Sequence, residues 1–538
     1  MSAYDYVVVG GGSAGSVLAG RLSENRNVSV CLIEAGPPDK DIRIRVPLGV
    51  VTLMGHPRYD WRYQSEPHAH LDGKRVSVPR GRTLGGSGSI NSMVYIRGRP
   101  SDYDGWAVSG CAGWDWQSVL PRFIALENNS RLGGDPLHGS NGPLFVEDLP
   151  SPHPLIGRFV EAGGDAGIPA NQDFNGAVQE GLGWYQTTMH RGRRWSPADA
   201  FLTPAKSRPN LTIVTDTTVD RIAFDGRRAA SVECVGRDGP RSIAVREEVI
   251  LAAGAIGSPS VLLRSGVGPA AHLASLSIPI VLDLAAVGGN LHDHPAIGMH
   301  YGGGDQGYAL SFATLLTNAI APFRYVFGRR GLFASNTVEG GGFAKTLPTL
   351  DEPDVQFHVI PARVGHEGSM LTWGRGYYSD VCLLKPRSRG RLGLHSADPE
   401  TAPAIDLNLL ADDIDREAFM RGVRLLRKLL EHPALKTGDA HELVPGPDVT
   451  TDEDLVAYVN DRLGTAYHPV GTCRMGAAGD PDAVVDPELK VSGLDNVRVA
   501  DASVMPDIVA GNTNAPTMMI ADKAAEMIRG TARAESAA

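Results

Sequence analysis

The sequence predicts an α/β fold opening on a Rossmann-like nucleotide-binding unit, and three observations carry this. Residues 4–9 form an apolar and aromatic run that rises into Gly10-x-Gly12-x-x-Gly15. Residues 16–22 then place apolar groups at helical spacing, and a second apolar run, 28–33, ends on the acid Glu34, nineteen residues after Gly15. Strand, tight turn, helix and strand in that order make a βα unit.

Each part of that unit has a physical task. Gly10 allows the sharp turn, Gly12 lets backbone N–H groups reach a pyrophosphate, and Gly15 lets helix and strand pack closely at the positive helix start. Glu34 can accept a hydrogen bond from a ribose hydroxyl, and its charge would repel a 2′-phosphate, which disfavours NADP. NAD and FAD stay open on these residues alone.

A chain of 538 residues is long enough for two or three domains and a deep pocket. Hydrophobic content of 42% and charged content of 21% are those of a globular protein. A net charge of −10 with no compensating basic block argues against nucleic-acid binding and leaves small molecules as partners. Five dispersed cysteines without a C-x-x-C pair fit a reducing compartment. The first strand begins at Tyr4 and no run approaches the roughly 18 apolar residues of a membrane span, so the expectation is cytoplasmic, with peripheral attachment at an inner membrane as the alternative.

Further along, residues 81–95 crowd glycine and serine again before an apolar segment that could start a helix, a second place where backbone can approach a ligand. Aromatic and apolar spacing suits a helix over 106–126, and 131–142 is loop by composition. Residues 209–215 and 218–222 alternate as a half-buried strand pair, and 247–254 is a buried strand running into glycine. Residues 254–268 read as turn, short helix and glycine stop. Strands resume at 355–360, a periodic helix spans 413–430, and a last helix runs over about 516–528, its stripe of Met518, Met519, Met527 and Ile528 assigned to the core. Asn514-Ala515-Pro516 is a cap-and-proline start for that helix. His292-Asp293-His294 invites a metal reading, but no third ligand is suggested and no metal is expected.

Four stretches together resemble the glucose-methanol-choline flavin oxidoreductases. They are the Gly10–Gly15 unit, residues 81–104, residues 254–268, and an end region comprising 467–476, 501–506 and 511–514. The resemblance covers essentially the whole chain and implies FAD. Motifs at 173–176, 334–336, 340–343 and 385–390 bring it nearest the bacterial choline, sorbose and aliphatic alcohol dehydrogenases. It implies a discontinuous FAD-binding domain over 1–155, 195–300 and 460–538. A substrate-binding α+β domain, built on an antiparallel sheet, is inserted as 156–194 and 301–459. Some relatives carry a flavin-linking histidine where this chain has Ile90, so non-covalent FAD is expected.

By the same resemblance, FAD is held by Gly10, Gly12, Ser13, Ala14, Gly15, Glu34 and Ala35, with Val219 offering backbone to adenine. Arg82, Gly86, Asn91, Met93 and Val94 lie by the pyrophosphate and ring, and Asp501, Ala502, Asn512 and Thr513 complete the site. Asp501 is expected to bond the ribityl chain or a bridging water. His468 is the implied base and Asn514 the orienting amide, with the final helix directing its positive end toward the flavin. The expected reaction is oxidation of an uncharged primary alcohol to the aldehyde, electrons passing to a quinone-like acceptor. Oxygen as acceptor, choline or a polyol as substrate, and cyanohydrin cleavage are the rival readings. Glu339 could face a cationic substrate, but the expectation is a solvated acid.

Overall fold

The computed structural model describes residues 2–309, 311, 314–365 and 372–537. Two sheets organise it. In the first, Leu211–Val214, Val30–Ile33, Ala3–Val9, Gly239–Leu251 and Val497–Val499 run parallel in that spatial order. The other half of Gly239–Leu251 turns outward to pair antiparallel with Arg228–Gly236, which pairs in turn with Thr217–Asp225. Every residue of Val30–Ile33 is buried, as a strand covered on both faces requires. Helix Ser13–Leu22 lies against the final helix, Asn514–Ala537, so the two chain ends meet over this sheet.

The second sheet is antiparallel, in the order His441–Val444, Pro295–Gly302, Gly376–Leu383, Val355–Ile360, Gly340–Ala344 and Gly181–Trp184. Helix Asp413–Leu430 covers one face with Phe419, Val423, Leu426 and Leu430, all fully buried, each contributing roughly 1.5–3 kcal/mol. Gly422 allows that close packing, since a Cβ there would lie 2.8 Å from Val355. The opposite face is left for a cavity.

Several elements depart from expectation. The helix expected over 106–126 is two, Pro100–Val108 and Trp116–Leu126, because Gly110 and Gly113 take positive φ and Asp115 caps a new start through the Ser118 N–H. Strands Leu211–Val214 and Thr217–Asp225 both exist but pair with different neighbours, not with each other. After residues 81–95 the chain runs irregularly to Pro100, where the next helix begins. The second sheet also takes Pro295–Gly302 and Gly464–Thr465, crossing the boundaries expected at 300 and 460.

Candidate active site

Between the sheets lies a cavity of about 710 Å³ that runs from Gly10 and Glu34 at one end to His468, Asn512 and Tyr378 at the other. Its first wall is the opening βα unit. Gly10 has φ +100°, and a Cβ there would sit 2.7 Å from the Ala252 carbonyl oxygen. A Cβ on Gly15 would fall 1.8 Å from the Gly10 oxygen, so only glycine lets this helix start so near its strand. The second glycine turn folds onto the first: Gly85 N–H donates to the Gly11 oxygen at 2.7 Å, and a Cβ on Gly86 would lie 2.7 Å from the Gly12 Cα.

No side chain caps the helix that starts after Gly12, so its first N–H groups and positive dipole end face the cavity. Glu34 closes this end, accepting the Gly11 and Gly36 N–H groups at 2.8 Å each. Burial pushes its carboxyl up to about 7 despite those bonds. Two glycine turns, an uncapped helix start and a buried acid are the parts a dinucleotide needs, and their fit rests on this geometry.

At the far end the geometry centres on His468. Its Nε2 lies 3.2 Å from Asn512 Nδ2, and its Nδ1 lies 3.0 Å from His294 Nδ1. Gln356 Nε2 donates to Asn512 Oδ1 at 3.2 Å, which turns the amide nitrogen of Asn512 toward the imidazole. His468 Nε2 is therefore an acceptor, and Nδ1 carries the hydrogen that it donates to His294. Asp293 Oδ1 accepts the backbone N–H groups of both histidines, at 2.7 and 2.8 Å, and so holds their segments together. Burial holds His468 well below the ordinary histidine range, with His294, His358 and Arg80 adding to it. Burial likewise brings His294 down to about 3, helped by Lys385 and His292. The result is a neutral imidazole with a lone pair beside a cavity.

Family models described as GMC oxidoreductase match residues 4–296 and 386–521. The chain is a GMC oxidoreductase. It is 45% identical over 530 residues to "Alcohol dehydrogenase [acceptor]" of Pseudomonas putida, covering 98% of this chain and 95% of the relative. Against the mitochondrial choline dehydrogenase of Mus musculus identity is 42%, with 98% and 89% covered. A formate oxidase of Aspergillus oryzae RIB40, solved in a study of FAD modification, superposes with a TM-score of 0.90 at 29% identity, covering 98% of each chain. The protein is thus an FAD-dependent oxidoreductase, of the family that includes alcohol and choline dehydrogenases.

Within this GMC oxidoreductase, the cavity is lined by Gly10, Gly12, Ser13, Ala14, Glu34, Ala35, Gly86, Asn91, Met93, Val94, Val219, Asp501, Ala502, Asn512, Thr513, Asn514 and His468. Gly15 and Arg82 stand back from it. Gly15 serves the helix–strand contact, and the Arg82 guanidinium lies 4.7 Å from the Trp61 ring centroid.

Three expectations need correction. The amide beside His468 is that of Asn512, not Asn514. Asn514 is the first residue of the final helix, and its Oδ1 accepts from Ser13 Oγ at 2.7 Å, tying the two helix starts together. Asp501 does not aim an unspent carboxylate at the cofactor: it accepts from Gly254 N–H, Ser258 Oγ, and both the N–H and Oγ of Ser503, all within 2.8 Å. Glu339 is fully buried, not solvated, and takes hydrogen bonds from His153 N–H, Tyr308 and Ser335. His292 Nδ1 lies 2.6 Å from the Asn290 carbonyl oxygen, and its Nε2 accepts the Ile508 N–H at 2.9 Å.

Gln356, His294, His358, Asp380 and Tyr378 were not picked out for the site from sequence. Strand alternation in residues 355–360 was the available signal, since period two puts Gln356 and His358 on one face.

Proposed function

We propose that this GMC oxidoreductase oxidises a primary alcohol to the aldehyde and passes the electrons to a quinone-like acceptor. The observation that carries the reading is the neutral His468 imidazole, its acceptor nitrogen 3.2 Å from the Asn512 amide in the FAD cavity. When bound, FAD supplies the acceptor for the carbinol hydride. The residues do the rest.

A substrate hydroxyl entering between His468 and Asn512 donates to Nε2 and accepts from the amide. His468 Nε2 takes the hydroxyl proton, and the amide steadies the oxygen as charge builds on it. His294 keeps the imidazole in the tautomer that can do this. Gly12, Ser13 and Ala14 would hold the pyrophosphate on backbone N–H groups, Glu34 and Ala35 the ribose, and Val219 the adenine. Asn512, Thr513 and Asn514 bring the start of the final helix to the ring end of the cavity, favouring negative charge there. Ile90 offers no nucleophile to the cofactor and packs with Ile44, Leu53 and Tyr59, which supports FAD held without a covalent link.

The acceptor is tested by assaying aldehyde with and without an artificial quinone in aerated buffer. Aldehyde formed only with the quinone supports the dehydrogenase. Stoichiometric hydrogen peroxide without it would establish an oxidase.

A further inference from the structure

The floor of the substrate end is a face of the antiparallel sheet, and strand register makes it a grid. Ala296, Gly298 and His300 lie beside Cys382, Asp380 and Tyr378, which lie beside Gln356, His358 and Ile360. Asp380 is the centre of that grid, with Gly298 on one side and His358 on the other. Its side chain keeps 17% exposure while its strand neighbours Ser379 and Val381 are buried against the other face. Gly298 leaves room here, since a Cβ on it would meet the Tyr378 ring.

His358 Nδ1 is 2.8 Å from Asp380 Oδ1, so that nitrogen carries the hydrogen. His358 is only 7% exposed, and its Nε2 has no hydrogen-bond partner among the described residues. His358 therefore presents an unpartnered Nε2 into the cavity beside a carboxylate. Such a buried orphan is costly unless a bound molecule completes it.

We propose that Asp380 and His358 form a second recognition point that accepts a hydrogen bond from the far end of the substrate. This rests on the alcohol-oxidation reading and narrows it: the preferred substrate carries a second donor, a hydroxyl or an amino group, and is not a plain alkanol. The spacing follows from the strand. Gln356 touches Asn512, and His358 is two residues farther on the same face, about 7 Å away. A chain of about four carbons, the carbinol carbon included, carries a second donor across that gap.

The test compares three alcohols of equal chain length on the holoenzyme: n-pentanol, the terminal butanediol and the terminal aminobutanol. The expected wild-type kcat/KM ratio of each donor-bearing alcohol to n-pentanol is about tenfold or more, as for a hydrogen bond to a charged group. Asp380→Leu should bring both ratios to about one, and His358→Gln should reduce them independently. Equal butanediol and aminobutanol ratios assign the preference to hydrogen bonding, and a higher aminobutanol ratio assigns it to charge; both support the proposal. A wild-type ratio near one, or ratios unchanged in Asp380→Leu, would overturn it. If no alcohol, n-pentanol included, reduces the flavin, the oxidation reading itself has failed.

Discussion

His294 Nδ1 lies 3.0 Å from His468 Nδ1, a contact between two buried imidazoles in which only one nitrogen can carry the hydrogen. The Asn512 amide on the opposite nitrogen decides which: it occupies the acceptor of His468, leaving Nδ1 as the donor. A neutral base whose lone pair faces only an amide is thereby built from three neutral side chains, with no carboxylate contact to the ring among the described residues.

The first prediction separates the two asparagines. Asn512→Ala should lower kcat/KM by about 100-fold with flavin content preserved, as when one preorganised donor is removed. Asn514→Ala loses only the Ser13 contact and should weaken flavin retention more than turnover. The opposite pattern, measured by steady-state kinetics and flavin absorbance, would return the orienting role to Asn514.

A pH profile reads the depressed imidazoles. Protonated His468 cannot accept a proton, so activity is lost as pH falls through its pKa, which burial holds well below about 6.5. The kcat/KM profile should stay flat from neutrality to below that value, and an acid limb near 7 would contradict the assignment. Stability follows the same sign. The unfolded chain binds protons below about 6.5 that folded His294, with its pKa of about 3, refuses. Its contribution, present above 6.5, is lost as pH falls toward 3. The Tm advantage of wild type over His294→Gln should therefore shrink between pH 7 and pH 5, and a constant gap would refute the linkage.

Gly86→Ala tests the double glycine turn. Gly86 has φ +54°, and the new Cβ would press on the Gly12 backbone from 2.7 Å. The left-handed conformation alone costs a non-glycine residue about 1–2 kcal/mol. The purified variant should show a reduced flavin-to-protein absorbance ratio; a full complement of FAD would show that this contact does not shape the site.

Acid denaturation reports on the cofactor link. With Ile90 packed among apolar side chains, all yellow colour should pass into the supernatant. Flavin retained in the precipitate would reveal a covalent attachment elsewhere in the cavity.

Much of this was readable from the chain. The opening unit shows in its glycine spacing because steric demands on Gly10 and Gly15 are local. The helix Asp413–Leu430 shows in its period because one face is covered and the other is wet. Asn512 and Asn514 were not separable by such signals: both flank Thr513, and only the start of the final helix decides which side chain turns to Ser13 and which to His468. The Gln356, His358 and Asp380 face depends on strand pairing between residues more than twenty apart, His358 with Asp380 and Gln356 with Cys382, which no local period reveals. Glu339 misled because its partners His153, Tyr308 and Ser335 come from separate segments.

The central claim is that His468 takes the alcohol proton in an FAD cavity, and anaerobic stopped-flow absorbance tests it directly. Mixing the holoenzyme with a reactive primary alcohol should bleach the flavin band in wild type. In His468→Ala of equal flavin content, bleaching should slow by about 100- to 10,000-fold. Bleaching at the same rate in both proteins, or none in wild type across a broad alcohol panel, would contradict the account.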